Sequence, residues 1–193
     1  MTLREARDRY LANAGLSTDS YHEDWVDIRF AGLPLRLPSP AARKRVLPLH
    51  DIHHALTGYQ ADILGEAEIG AWELGTGLGP HVIGYPFVLL ALAWSPMVAP
   101  RRVFRAFVRG RRTGNFYCQP PPDDVLDQDL HTLRRQLGLD HHDPRARFTD
   151  VVAFVGWFAL ALFFGVFGVL LLPLMLVLGV WAQWQTRHTA AHP

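Results

Sequence analysis

Residues 50–54 read His50-Asp51-Ile52-His53-His54, and eleven residues then separate His54 from Glu66. A helix advances about 100° per residue, so His50 and His54 lie one turn apart on the same helical face. Glu66 cannot reach them on that helix, because twelve residues rise about 18 Å along the axis. Gly58 is the type of residue that ends helices. The stretch therefore predicts a second helix, from about Asp62, that turns back and faces the first.

The side chains that these two helices bring together are typical metal ligands. We predict that His50, Asp51, His54 and Glu66 bind one divalent ion. Such a mixed nitrogen and oxygen site suits zinc, iron or manganese. The neighbouring residues of the first helix are apolar, and polar groups buried among them need partners, which a metal would supply. His53 is interpreted as a packed side chain.

Two carboxylates are the candidates for catalysis, Asp51 beside the first histidine and Glu73 on the second helix. Glu73 falls seven residues after Glu66 and therefore lies on the same helical stripe. It would serve as a general base or as a hydrogen-bond partner of a ligand. A surface salt bridge is the alternative interpretation of Glu73.

The pattern His50-Asp51-x-x-His54-x11-Glu66 resembles the HDxxHx11E motif of the Coq4 proteins of ubiquinone biosynthesis. Leu49 and the segment Leu56-Thr57-Gly58-Tyr59 are similar as well, and the resemblance runs from about residue 20 to residue 140. It implies a mainly helical protein that binds a divalent metal through this motif on the inner face of a respiratory membrane. It also implies a role in removing the ring carboxyl carbon of a polyprenylated benzoate, as a lyase, and in organising other enzymes of the pathway.

Composition limits the other classes of function. At 193 residues the chain has room for one core with an appendage, and its formal net charge of +1 does not indicate a nucleic-acid partner. Cys118 is the only cysteine, so no internal disulfide is possible and a reducing compartment is the simpler interpretation. The first residues have mixed charge and no apolar run, which does not fit a signal peptide.

The segments before the motif predict small elements. Residues 3–14 fit a short amphipathic helix that packs on the body. Residues 25–30 and 33–37 alternate apolar and polar side chains around Ala31-Gly32, which predicts a small β-hairpin. Ser39-Pro40 offers an N-cap, so the helix that carries the histidines should begin near Ala41.

Residues 82–99 carry no charge, and their length is at the lower limit for crossing a bilayer. A buried core helix that lines a cleft for a lipid tail is the first interpretation, and a membrane span is the second. Arginines follow at once, interleaved with Phe104 and Phe107, and predict a contact with lipid headgroups. The residues assigned to this contact are Arg101, Arg102, Arg105 and Arg109. A solvated arginine face is the alternative.

From residue 151 to residue 184 there are 34 consecutive residues without a charge. As one helix they would extend about 51 Å, against a hydrocarbon core of about 30 Å, so both a kinked span and a re-entrant hairpin are compatible. We predict a helical metal-binding domain over residues 1–144 and a membrane anchor with a short tail over residues 145–193. Arg145 and Arg147 favour a body on the cytoplasmic side, at the inner membrane of a bacterium.

Three functions are compatible with these patterns. The first is a Coq4-like metalloprotein whose partners are a prenylated quinone precursor or another isoprenoid lipid, the membrane, other enzymes of the pathway and a second copy of the chain. The second is a non-catalytic membrane scaffold that binds lipid, in which the metal only joins two helices. The third is a metal-dependent phosphohydrolase of the HD type, which would need further ligands. Only the cluster at residues 140–143 offers them.

Overall fold

The computed structural model describes residues 1–30, 33–140 and 145–167, and these residues are mainly helical. Strands β1 and β2 pair antiparallel, with Trp25 opposite Pro38 and Phe30 opposite Leu33. The elements are α1 (Leu3–Ala14), β1 (Trp25–Phe30), β2 (Leu33–Pro38), α2 (Ala41–Thr57), α3 (Ile63–Thr76), α4 (Gly84–Val98), α5 (Pro100–Gly110), α6 (Leu130–Gln136) and α7 (Phe148–Phe167). The predicted N-terminal helix and the predicted strand pair are both present.

Local signals fix the turn between the two helices of the motif. Helix α2 begins at Ala41, as predicted, although Pro40 rather than Ser39 stands at its N-cap position. It ends at Gly58, which adopts φ 83° and donates its N–H to the His54 carbonyl at 2.9 Å. The Asp62 side chain then accepts the N–H of Gly65 at the start of α3. Five residues therefore reverse the chain and place α3 beside α2.

Helix α3 lies at the centre of the core and packs against α4 and α5. Ile69 and Trp72 of α3 and Phe107 of α5 are fully buried. The two helices approach closely where Gly110 faces the backbone of Trp72, since a Cβ atom on Gly110 would overlap the Trp72 carbonyl. This close crossing holds α3 in place behind the predicted site.

Replacing Gly110 with alanine is expected to lower the free energy of unfolding by about 1–3 kcal/mol, because the new methyl group meets backbone that cannot move aside. Gly156→Ala is the matched control, since a Cβ atom there has nothing within 4 Å. Thermal unfolding in detergent would show the difference. Equal unfolding temperatures for the two variants would contradict the close crossing.

Helix α4 differs in part from the buried helix predicted over residues 82–99. Val88, Leu89 and Leu92 are buried, as predicted. The opposite face is exposed and apolar, and it consists of Phe87, Leu90, Trp94 and Met97. The helix therefore has one face toward the core and one apolar face without a partner among the described residues.

Helix α7 is the part of the predicted anchor that the structure describes. Its Phe154 contacts Phe104 and Phe107 edge-on, and Trp157 stacks on Tyr85 of α4 with ring centroids 5.9 Å apart. Asp150 is fully buried and accepts hydrogen bonds from Arg111 and Arg112. The first turns of α7 thus pack on the body, and the division into a metal-binding domain and an anchor at residue 145 stays a prediction.

By length and composition, α7 is suited to cross a membrane, since its 20 residues include a stretch with a high mean hydropathy of 2.1 and are mostly exposed. Residues 168–193 lie outside the described residues, so a single span and a re-entrant hairpin both remain predictions. Residues 141–144, which include most of the second histidine and aspartate cluster, also lie outside the described residues.

Candidate metal centre

Three predicted ligands converge between α2 and α3. The Nε2 atoms of His50 and His54 lie 3.1 Å apart. One carboxylate oxygen of Glu66 lies 3.5 Å from His50 Nε2, and the other lies 3.3 Å from His54 Nε2. The turn at Gly58 and the one-turn spacing of the histidines are the features of sequence that produce this convergence.

These separations fit a metal ion. Zinc bonds to histidine nitrogen and carboxylate oxygen are about 2.0–2.2 Å long, which in a tetrahedral site places neighbouring ligand atoms about 3.4 Å apart. The nitrogen–nitrogen distance of 3.1 Å and the two nitrogen–oxygen distances of 3.3 and 3.5 Å are close to that value, although the latter two involve different oxygens of Glu66. One ligand atom from each of the three residues lies within 4.8 Å of the others. Three protein ligands leave one position of a tetrahedron open, which is typical of catalytic rather than structural zinc sites.

The other nitrogen of each histidine supports the same assignment. His50 donates Nδ1–H to the Glu73 carboxylate at 3.0 Å, and His54 donates Nδ1–H to the Tyr59 carbonyl at 2.9 Å. A carbonyl and an ionised carboxylate can only accept, so both rings carry their proton on Nδ1. Two neutral rings then direct two Nε2 lone pairs at each other, and this arrangement requires a cation between them, either a proton or a metal ion.

The carboxylates of the site remain ionised. Burial alone would raise the pKa of Glu66, but hydrogen bonds from His50 and His54 lower it to about 2. Burial opposes ionisation of Glu73 too, yet the neighbouring His50 and His53 hold its pKa well below the usual range. Conversely, burial would lower the pKa of His50, and Glu73 and Glu66 raise it well above its usual value when no metal is bound.

Metal uptake should therefore release a proton, because the ion replaces the proton that His50 holds in the metal-free protein. Affinity should fall as the pH is lowered, since the proton then competes better. Calorimetric titration of zinc into the metal-free chain, in two buffers with different ionisation enthalpies, would measure the protons released. A binding heat that is the same in both buffers would contradict this expectation.

Asp51 is placed differently from the prediction. Its buried carboxylate accepts a hydrogen bond from the Tyr21 hydroxyl at 2.7 Å and lies outside the group formed by His50, His54 and Glu66. The reason is helical geometry, since the residue after His50 points about 100° away from it. In this geometry Asp51 lies outside both the metal group and the pocket described below.

Glu73 lies where the predicted stripe of α3 places it, and it is 1 % exposed. It accepts from His50 and also from Nδ1 of His53 at 3.1 Å. It is therefore the buried hydrogen-bond partner of a ligand, and the alternative of a surface salt bridge is wrong. His53 is fully buried and does not belong to the metal group, in agreement with its interpretation as a packed side chain.

Three tyrosines complete the surroundings and were not found from the sequence. Tyr10 of α1 stacks on the His54 ring with centroids 4.6 Å apart, Tyr21 binds Asp51, and Tyr117 lies beside Glu73. Burial raises the pKa of all three hydroxyls, so they stay protonated. They come from segments far from the motif, and no local pattern marks them.

A pocket of about 180 Å³ opens beside the ligands. Its polar wall consists of His50, Glu66, Glu73, Tyr117 and Arg43. The remaining side chains that line it are apolar and come from α2, the start of α4 and the turn before it, namely Val46, Leu47, Ile83, Phe87, Val88 and Ala91. An apolar pocket with a few convergent polar groups is the usual form of a small-molecule site.

The predicted headgroup arginines divide into two groups. Arg101 and Arg105 are exposed, and Arg102 is exposed while it pairs with Glu68 at 2.9 Å. Arg109 is buried and donates to the carbonyls of Thr57 and Leu139. It therefore stabilises the end of α2 and cannot contact a lipid headgroup, which corrects the prediction for this residue.

No protein-family model, curated protein or solved structure matches the chain. The resemblance to Coq4 proteins thus rests on the sequence motif. The described residues provide a His50, His54 and Glu66 group that could hold a metal ion, at the edge of an apolar pocket.

Proposed function

We propose that this protein is a membrane-associated metalloprotein of the Coq4 type, and that it removes the ring carboxyl carbon of a prenylated benzoate in ubiquinone biosynthesis. The observation that carries the proposal is the convergence of His50, His54 and Glu66 beside an apolar pocket. The spacing of these residues supports the family, and the lining of the pocket supports an amphiphilic substrate.

A bound zinc, iron or manganese ion would supply Lewis acidity toward a substrate oxygen or, if redox-active, a means to use dioxygen. The chain contributes the rest. Glu73 orients the His50 ring, and Tyr59 orients the His54 ring through its carbonyl. Tyr117 is the one hydroxyl among the residues that line the pocket, and it is protonated at neutral pH, since burial and Glu73 raise its pKa above the already high value of a free tyrosine.

Arg43 is the feature that favours an acidic substrate. It is the only Lys or Arg side chain among the residues that line the pocket, and its hydrogen bond is to the Ser39 hydroxyl at 3.1 Å. Among the described residues no ion pair to Arg43 is found within 4.0 Å, and the carboxylates of Asp51 and Glu23 act on its charge only from further away. Its guanidinium is thus available to a substrate carboxylate, while the prenyl tail contacts the apolar side chains of α4.

Arg43→Gln should weaken binding of a prenylated 4-hydroxybenzoate by about tenfold or more, because a charge-assisted hydrogen bond is lost. The methyl ester of the same compound should bind both proteins equally, since it lacks the charge. Lys44→Gln is the matched control, because Lys44 pairs with Asp24 and does not line the pocket. Equal loss of acid and ester binding in Arg43→Gln would contradict this role.

The membrane part of the proposal rests on α7 and on the arginines that remain exposed. Helix α7 would enter the bilayer of a bacterial inner membrane, with the body on its cytoplasmic side. Arg101 and Arg105 would contact anionic headgroups. This location would give an isoprenoid substrate a short path to the pocket.

The scaffold function is the second candidate, and one observation favours it. The hydrogen bonds of His50 and His53 to Glu73 join α2 to α3, and they would do so in a protein that catalyses no reaction. A scaffold predicts that loss of the metal unfolds the body, whereas an enzyme permits a folded and inactive variant. The phosphohydrolase function gains no support, because Asp140, the described member of the second cluster, lies near His131 rather than in the metal group.

The direct test of the proposed reaction is release of carbon dioxide from a prenylated 4-hydroxybenzoate labelled in its carboxyl carbon. The full chain in detergent, loaded with iron, manganese or zinc in turn and supplied with dioxygen, should release the label with at least one metal. Metal-loaded, folded protein that binds the compound and releases no label would overturn the enzymatic proposal in favour of the scaffold.

A further inference from the structure

Glu73 joins two histidines that have different surroundings. The same oxygen, Oε1, accepts from Nδ1 of His50 at 3.0 Å and from Nδ1 of His53 at 3.1 Å. His50 belongs to the metal group, whereas His53 is fully buried behind it. One carboxylate oxygen therefore links the metal group to a side chain that does not touch the ion.

His53 extends this link on its other side. Its Nε2 accepts the backbone N–H of Phe116 at 3.0 Å. A backbone amide can only donate, so Nε2 carries no proton and the ring must donate through Nδ1 to Glu73. The direction of every hydrogen bond from His50 to Phe116 is thereby fixed.

Phe116 belongs to a short segment, residues 115–118, that forms part of the pocket wall. Asn115 holds the segment to the end of α3 by donating to Thr76 and Gly77, and it accepts the amides of Tyr117 and Cys118. Tyr117 lines the pocket and lies against the His53 ring, with centroids 4.4 Å apart. Movement of His53 would therefore move the pocket wall.

We propose that His53 is a positioning residue that couples occupation of the metal site to the 115–118 segment. A metal ion would replace the proton on Nε2 of His50 and, unlike that proton, would be bonded to His54 and Glu66 as well, so it would fix the His50 ring with its Nδ1–H directed at Glu73. Glu73, His53 and the Phe116 amide are thereby held in one arrangement. Because coupling between two sites is reciprocal, the state of the segment also changes the affinity for the metal. The inference rests on the proposed metal site and concerns a residue outside it.

Two substitutions separate the two ends of the link. His53→Asn keeps an amide N–H near the position of Nδ1, toward Glu73, but loses the acceptor for Phe116. His53→Gln keeps an acceptor near the position of Nε2 but loses the donor to Glu73. The second variant also covers the case in which the first fails to fold.

The test is hydrogen exchange of the Phe116 amide in the full chain in detergent, with zinc or with a chelator, and with the amides of β1 as reference. In the wild type, zinc should slow this exchange about fivefold or more. In His53→Asn the amide should exchange rapidly with and without zinc, while zinc still binds. In His53→Gln the affinity for zinc should fall about tenfold or more, because Glu73 loses the partner that holds it.

Zinc binding in the wild type without any change at Phe116 would overturn the coupling and leave the proposed metal site intact. The coupling would also be overturned if zinc slowed exchange of the Phe116 amide in His53→Asn as much as in the wild type. A folded wild type that binds neither zinc, iron nor manganese would overturn both proposals. His54→Ala is the control for nonspecific effects of zinc. This variant lacks one ligand of the metal group, so exchange of its Phe116 amide should be the same with and without zinc.

Discussion

Glu66→Gln is expected to abolish the release of carbon dioxide while leaving the body folded. Glu66 is the ligand with the most exposed side chain, 44 %, so solvent reduces the contribution of its charge to stability, and an amide of the same shape is expected to leave the body folded. The substitution removes the negative charge that helps to bind the ion. The rate of carbon dioxide release should therefore fall more than about a thousandfold, equivalent to several kcal/mol of transition-state stabilisation. The measurement is the labelled-carboxyl assay together with thermal unfolding.

Glu68→Gln is the matched control for that experiment. Glu68 lies two residues further along α3 and pairs with Arg102, so it does not belong to the metal group. Its substitution should leave activity unchanged. If Glu66→Gln instead lowers the unfolding temperature by many degrees and the wild type has no activity, the scaffold function is correct.

Glu73→Leu is expected to have the largest effect on stability. The carboxylate is buried and accepts from two imidazoles, and leucine would leave both N–H groups buried without an acceptor. Loss of such a partner lowers the free energy of unfolding by about 3 kcal/mol or more. Glu73→Gln, whose amide oxygen still accepts, should lose about 1 kcal/mol. Denaturant unfolding of the three proteins without metal would measure both values.

Equal stability of Glu73→Leu and the wild type would contradict the buried arrangement of His50, Glu73 and His53. The glutamine variant has a second use. Because it retains the fold and removes the charge, its affinity for zinc should fall about tenfold to a hundredfold, as is usual when a hydrogen-bond partner of a metal ligand is replaced.

The arrangement of α2 and α3 could be predicted from the sequence because local rules determine it. The spacing of His50 and His54, the helix end at Gly58 and the helix start at Asp62 each depend on a few neighbouring residues. The position of Glu73 follows from the same periodicity. These rules were sufficient to bring three of the four predicted ligands together.

The hydrogen-bond partner of Asp51 and the burial of Arg109 depend on tertiary structure instead. Asp51 is held by Tyr21, thirty residues earlier, and Arg109 by carbonyls at the end of α2 and beyond α6. Hydropathy likewise identified α7 as apolar but did not show that Phe154 and Trp157 pack on the body. Periodicity shows which residues share one face of a helix, whereas the residues that this face contacts depend on how the whole chain packs.

Metal content is the measurement that tests the central claim most directly. The full chain, purified in mild detergent, would be analysed by mass spectrometry beside His54→Ala, Glu66→Ala and Asp51→Asn. We expect nearly one iron, zinc or manganese ion per chain in the wild type and in Asp51→Asn, and none in the other two. A well-folded wild type without metal, or metal retained in both His54→Ala and Glu66→Ala, would contradict a site formed by His50, His54 and Glu66.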